Sequence, residues 1–253
     1  MPLTAVGFQA MMGLTSYVGQ SDIKRGSFVK IAVVYTVTTP ELTRMVEGAL
    51  AEALNRRVVE ILSFKDPSII REANEAGRVT GGCARRLFNL YEQAAEAGAS
   101  VLLNACSSVG EVAKAARPLY AMTGVTVVRI DEGMAMDAVR RFRRIGVVAT
   151  LRSTLEPTKR LVLECAARQG REVEVMEALA EGAFGLGREE FIERLVETGR
   201  RVAGGVDALL FAQGSMVYAE DAVSRALSLP VLSSIGYGVG AVKAAVEAAE
   251  HGD

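Results

Sequence analysis

The sequence holds a single histidine, His251, close to its C-terminal end. A Ser-His-Asp triad, a Cys-His dyad and an HExxH metal site each need an imidazole inside the fold, and a fraying terminus is a poor place to keep one. Any catalysis is therefore expected to run on thiol, carboxylate, hydroxyl, amine or backbone groups. Cysteine is nearly as scarce: Cys83, Cys106 and Cys165 are an odd number without CxxC spacing. That pattern excludes a disulfide framework and a zinc knuckle, and it fits reduced thiols in a cytoplasmic setting. No apolar run approaches the about 18 residues a bilayer span requires. No basic start followed by an apolar core opens the chain, so a signal peptide is not expected. An excess of one charge is missing too, since 29 Lys and Arg face 30 Asp and Glu for a formal net charge of −1. Such balance offers nothing to a polyanion or an acidic membrane surface. Nucleotide fingerprints are absent: no GxGxxG leads from a strand into a helix, and no GxxxxGK[ST] occurs. Gly236-Tyr-Gly-Val-Gly240 has a GxGxG look, but it lies at the last expected strand. These absences leave cofactor-free chemistry on a small molecule, with neither nucleic acid nor membrane as partner.

What is present is a balance of 50% hydrophobic and 23% charged residues, typical of a globular enzyme. Short apolar runs rich in β-branched residues alternate with longer amphipathic stretches. The runs are Val29–Tyr35, Val58–Leu62, Ser100–Asn104, Val125–Ile130, Ile145–Ala149, Glu172–Met176, Ala208–Ala212 and Pro230–Ser233. Their hydrophobicity is continuous, as strands buried on both faces require. Helices are expected over Pro40–Leu54, Gly81–Ala97, Gly110–Thr123, Ser153–Gln169, Arg188–Ala203 and Glu220–Leu227. Strand and helix in steady alternation imply an α/β fold with parallel sheets and right-handed crossovers.

An internal repeat divides this pattern in two. Ile31-Ala-Val-Val-Tyr-Thr36 resembles Ile145-Gly-Val-Val-Ala-Thr150, and Ser100-Val-Leu-Leu-Asn-Ala-Cys-Ser-Ser108 aligns without a gap to Asp207-Ala-Leu-Leu-Phe-Ala-Gln-Gly-Ser215. The offsets, 114 and 107 residues, are of domain size. The expectation is two pseudo-symmetric parallel α/β lobes with a cleft between them. Residues 29–128 with 229–253 would form the first lobe and 129–228 the second, after an N-terminal extension over 1–28. Ligands of parallel sheets bind beyond the carboxyl ends of the strands. Two polar strand ends per lobe, Thr36–Thr39 and Cys106–Ser108, Thr150–Thr154 and Gln213–Met216, would then line that cleft.

Among these residues Cys106 stands out. It follows a buried strand and precedes a turn into a helix, where the helix dipole and unpaired N–H groups favour the thiolate. The expectation is a pKa below the ordinary value of about 8.5. A thiolate there can take a proton from carbon or attack an electrophilic carbon. Ser107, Ser108, Thr150, Ser153, Thr154 and Ser215 sit at loop-to-helix junctions, where neutral donors can hold a small anion, and where the same residues also serve as N-caps. Thr38, Thr39, Asn104, Gly214 and Met216 complete the expected substrate-binding set. Asp131 and Glu132 follow another strand and could supply a carboxylate. Cys83 and Cys165 lie within helical patterns and are expected to be packing residues.

Asn104-Ala-Cys-Ser-Ser108, Ile145-Gly-Val-Val-Ala-Thr150 with Ser153-Thr154, and Asp207-Ala-Leu-Leu-Phe-Ala-Gln-Gly-Ser-Met216 resemble the motifs of the aspartate/glutamate racemase superfamily. That superfamily includes hydantoin racemases, maleate cis-trans isomerases and arylmalonate decarboxylases. The resemblance spans roughly residues 29 to 240. It implies cofactor-independent chemistry at the α-carbon or double bond of a small carboxylic acid, and a homodimer by family habit. It also implies one cysteine per lobe on opposite faces of the substrate. Cys106 falls at the first-lobe position, whereas the second-lobe position is Gln213, which is neither acid nor base. The Cys-Thr-His and Asp-Ser-Gly segments of glutamate racemases proper are missing. A single thiol is compatible with racemisation or isomerisation through another group, with a decarboxylase that protonates one face, or with a binder that has lost half the pair.

Overall fold

A computed structural model describes residues 29–54 and 59–251. The expected extension over 1–28 lies outside the described residues, as do Val58, expected to open the second strand, and 252–253 at the end of the expected first lobe.

Among the described residues, eight strands fall into two four-stranded sheets, and every pairing is parallel. The first sheet takes β1 (Val29–Tyr35), β2 (Val59–Lys65), β3 (Val101–Asn104) and β4 (Thr126–Arg129), in the order β2-β1-β3-β4. The second takes β5 (Arg144–Ala149), β6 (Glu174–Leu179), β7 (Ala208–Phe211) and β8 (Val231–Leu232), in the order β6-β5-β7-β8. The internal repeat is a repeat of register as well as of sequence. Ile31 pairs with Val101, and Ile145, its counterpart, pairs with Ala208, the counterpart of Val101. Chance likeness between buried strands would not reproduce the register, because a one-residue slip turns every side chain to the other face.

The helices are α1 (Pro40–Ala53), α2 (Pro67–Ala76), α3 (Gly81–Glu96), α4 (Gly110–Ala121), α5 (Glu132–Arg141), α6 (Arg152–Arg168), α7 (Arg188–Val202), α8 (Glu220–Leu227) and α9 (Ser234–His251). They cover both faces of each sheet, so each sheet has an apolar cluster on either side. Three of them were not expected from the sequence. Helix α2 starts at Asp66-Pro67-Ser68, where the Asp66 carboxylate caps the Ser68 N–H at 2.9 Å, and it ends at Gly77 with φ of 66°. Helix α5 carries Met134, Ala135, Ala138 and Val139 into the core of the second sheet. Helix α9 carries Ile235, Val239, Val242 and Val246 back to the first. The edge strands β2 and β6 run further than expected, to Lys65 and Leu179, because an exposed edge tolerates polar residues. The expected return to the first lobe at 229 also shifts: Val231–Leu232 pairs with β7, and the chain crosses only with α9.

The Gly236–Gly240 segment is thus helix, and one of its glycines is there for contact. A Cβ on Gly238 would sit 2.7 Å from Ile130 Cγ1 and 3.0 Å from Ile130 Cα and O, so α9 touches the end of β4 backbone to backbone. Gly240 meets nothing within 4 Å. Gly238→Ala is expected to lower stability by about 1–3 kcal/mol through overpacking. Gly240→Ala should raise it by about 0.5–1 kcal/mol through helix propensity alone. Urea unfolding of the two variants separates contact from propensity.

Candidate active site

The carboxyl ends of the strands in both sheets open onto one cleft of about 460 Å³. The first lobe contributes Thr36, Val37, Thr38, Thr39, Pro40 and Leu42 after β1, Pro67, Ile70 and Asn74 from α2, and Ala105, Cys106, Ser107 and Ser108 after β3. The second contributes Leu151 and Thr154 after β5, Phe184 after β6, and Ala212, Gln213, Gly214 and Ser215 after β7. Among the described residues lining it, none is Asp, Glu, Lys, Arg or His. The cleft is a charge-free space with one thiol.

Cys106 leads a single 3₁₀ turn, Ser107–Val109, and α4 begins only at Gly110. The sulfur is buried, and burial pushes its pKa up. The Thr36 hydroxyl, the N–H groups of Val109 and Ser108 and the Ser108 hydroxyl pull in the opposite direction without prevailing. The expected lowering is corrected accordingly. Sequence locates the helix start, but desolvation of the charged form outweighs donors when the sulfur itself is buried. The Cys106 backbone is fixed from behind. Tyr91 Oη donates to Asn104 Oδ1 at 3.1 Å, and Asn104 Nδ2 donates to the Cys106 carbonyl at 2.8 Å, all of it buried. Asn104 therefore positions the thiol loop and does not line the cleft. Ser107 does line it, and its buried Oγ has no hydrogen-bond partner. A buried hydroxyl left unpaired is costly.

Gln213 occupies in the second lobe the place Cys106 holds in the first. Its Oε1 accepts from the Thr150 N–H at 2.8 Å and from Thr150 Oγ1 at 3.1 Å, and its Nε2 donates to Thr150 Oγ1 at 2.7 Å. Thr36 and Thr150 are counterparts in the repeat, and Thr150 serves the residue at the end of the neighbouring strand. A backbone N–H at its oxygen fixes the orientation of the Gln213 amide. Thr150 itself is absent from the lining. Ser108 Oγ and Thr154 Oγ1 lie 2.9 Å apart and hydrogen-bond across the lobe boundary. Ser153 makes a second crossing, donating to Asn74 Oδ1 at 2.5 Å, and stays out of the cleft.

Met216 is fully buried in the core of the second lobe, so its expected role at the cleft wall is withdrawn. Asp131 is buried against Arg129, with Nε at 2.6 Å from Oδ1, and Glu132 is clamped between Arg117 and Arg168. Neither acid reaches the cleft. Thr38, Thr39, Gly214 and Ser215 line it as expected, and Thr39 also N-caps α1. Cys83 and Cys165 are core residues, the latter pushed up to about 11 by burial. Sequence reading missed the apolar wall from α2 and Phe184. The signals were there: Asp-Pro opening a helix, and a glycine-flanked Phe after a strand that runs three residues beyond its expected end at Met176.

Two sheets of one register with matched strand ends at a shared cleft lead to comparison with known families. The Asp/Glu/Hydantoin racemase family matches residues 31–242. The chain belongs to that family. Membership makes it an enzyme of the racemase-like isomerases, and the solved structures agree on the fold. It is similar to allantoin racemase from Klebsiella pneumoniae at 21% identity and a TM-score of 0.61, covering 87% of this chain and 88% of that one. A glutamate racemase of Bacillus anthracis is similar at 13% identity and a TM-score of 0.64, over 87% of this chain and 81% of that one. Aspartate racemase of Picrophilus torridus follows at 14% identity and a TM-score of 0.58, over 88% and 94%. No curated protein matches the chain. Within this racemase-family fold, no three His, Cys, Asp or Glu side chains among the described residues gather into a metal-ligating cluster, and no helix among them is long and apolar enough to cross a membrane.

Proposed function

We propose that the enzyme moves a proton at the carbon next to a carboxylate or other carbonyl, with Cys106 as its one proton-transfer group. The observation that carries this reading is the charge-free cleft holding a single thiol at a paired strand end. Thiolate Cys106 takes the α-proton, and the electrons pass to the carbonyl as an enolate. Ser107 Oγ–H and the Gln213 amide are neutral donors suited to that oxygen, and donors fixed in advance stabilise developing charge without reorganising. Gln213 cannot return a proton on the far side. Exchange is therefore expected on one face, at one enantiomer, unless water reaches the other.

The test is proton NMR in D₂O with matched small acids, hydantoins, maleate and malonates. Cys106-dependent deuterium uptake confined to one enantiomer supports the reading. Exchange coupled to inversion overturns the one-faced mechanism, and no exchange in any probe overturns the proton transfer. The lone thiol also supports a second reading, decarboxylation of a malonate with protonation on one face, which would release carbon dioxide in the same tubes.

The raised thiol pKa sets the pH dependence. A base must be deprotonated to act, so kcat/KM is expected to climb as one proton leaves, with its rising limb above the ordinary thiol value of about 8.5. The pH–rate profile measures this, and a plateau already reached at neutral pH would contradict it.

A further inference from the structure

The turn between β6 and α7 holds Phe184 in an unusual position. The residue is 63% exposed, yet it lines the cleft. The turn that carries it is fixed. Ala183 beside it is fully buried in the second lobe's core. Ala183 N–H donates to the Ala180 carbonyl at 3.2 Å, and Leu186 N–H to the Ala183 carbonyl at 3.2 Å. Gly182 and Gly185 flank it with φ of 73° and 89°, values that other residues adopt only under strain. Burying Ala183 between these two reversals turns its neighbour outward, so the phenyl is presented to the cleft by the backbone. An aromatic ring left half in water loses the favourable burial it would have in a core. A ligand group that covers it recovers that term.

The first lobe answers with apolar side chains. Pro67 and Ile70 of α2, which follows edge strand β2, line the same cleft, and edge strand β6 leads into the turn of Phe184. One outer strand of each sheet, β2 and β6, thus leads to an apolar surface, and the inner strands β3 and β7 supply Cys106 and Gln213. With no charged side chain in the lining, an α-ammonium or a second carboxylate on the substrate would enter without a counter-ion, at a cost.

We propose that Phe184 is the specificity-determining residue of the cleft, covering an apolar substituent on the reacting carbon, and that the ligand carries no charge beyond one carboxylate or imide. This inference rests on the proton-transfer reading for where the ligand binds, but not on the chemistry. The chain has no tryptophan, so Phe184→Trp places a single tryptophan, selectively excited beyond the tyrosines, at the site in question. The experiment uses Phe184→Trp/Cys106→Ala, which binds without turning over, titrated with two matched pairs: hydantoin against 5-benzylhydantoin, and propanoate against 2-phenylpropanoate. L-glutamate, with an α-ammonium and a second carboxylate, is the control for excess charge.

The substituted member of each pair is expected to shift the emission to the blue and to bind more tightly than its parent, with L-glutamate silent. Phe184→Ala should weaken the substituted ligands by about tenfold, in the range for an apolar contact removed from a pocket. It should leave the parents unchanged, and Phe184→Leu should restore most of the loss. Substituted ligands binding no more tightly than their parents, or binding while the emission stays put, would overturn the assignment. A blue shift and tight binding combined with no deuterium exchange in the wild-type enzyme would leave Phe184 in its role and remove the proton transfer instead.

Discussion

Cys106→Ala is expected to slow α-proton exchange by about 10²–10⁴-fold, the contribution of a positioned acid or base. Ligand affinity should stay near the wild-type value, because the sulfur is one small buried atom among many lining groups. Cys106→Ser should fare little better, since a hydroxyl is far too weak an acid to be ionised there. Cys83→Ala and Cys165→Ala are the controls: both thiols are core atoms, so their loss costs stability and leaves the exchange rate of the folded enzyme alone. Isotope exchange followed by NMR, with affinity measured separately, reads all four variants. Equal rates in Cys106→Ala and wild type would end the assignment of the thiol. Parallel loss of rate and affinity would mean that it contributes to binding rather than to proton transfer.

Arg129→Met is expected to destabilise the fold by about 3–5 kcal/mol, because it leaves a buried carboxylate without its partner. Asp131 has no exposure and Arg129 has 2%. They meet in two parallel bonds, Nε to Oδ1 at 2.6 Å and Nη2 to Oδ2 at 3.1 Å. The guanidinium runs under the first residue of α4, so close that a Cβ on Gly110 would fall 2.3 Å from Nε. The pair therefore props the turn that carries Cys106. Arg129→Met/Asp131→Asn, which removes both charges, should recover much of the loss. Urea denaturation gives the three free energies. A double variant no more stable than Arg129→Met would show that packing beneath Gly110 matters more than charge pairing.

Much of this architecture was legible because parallel strands buried on both faces leave continuous apolar runs, and because Cys106 and Gln213 end two such runs at matched places. The edge strands blurred, since β2 and β6 admit Ser63, Lys65 and Glu177 among their apolar residues. Helix α9 was hidden by three glycines, which disfavour a helix, although Gly238 serves a close helix-to-strand contact. At the site, residue type and position along the chain pointed to the right loops but not to the direction of each side chain. Asn104 and Thr150 were expected at the ligand, and they hold the Cys106 loop and the Gln213 amide instead. The thiol pKa was misjudged for a related reason: the turn into α4 is visible in the sequence, and the enclosure of the sulfur is not. Phe184 escaped notice because its place depends on Ala183 being buried, a tertiary fact.

The shared register of the two sheets has a stereochemical consequence. Equivalent backbone carries a thiol on one side of the cleft and an amide on the other, so the halves of a nearly symmetric frame are chemically unlike. On the proposed chemistry, the hand of the exchanged molecule is written in which half of the polypeptide bears the sulfur. A chain with the residues at 106 and 213 interchanged would present the same frame with its preference reversed.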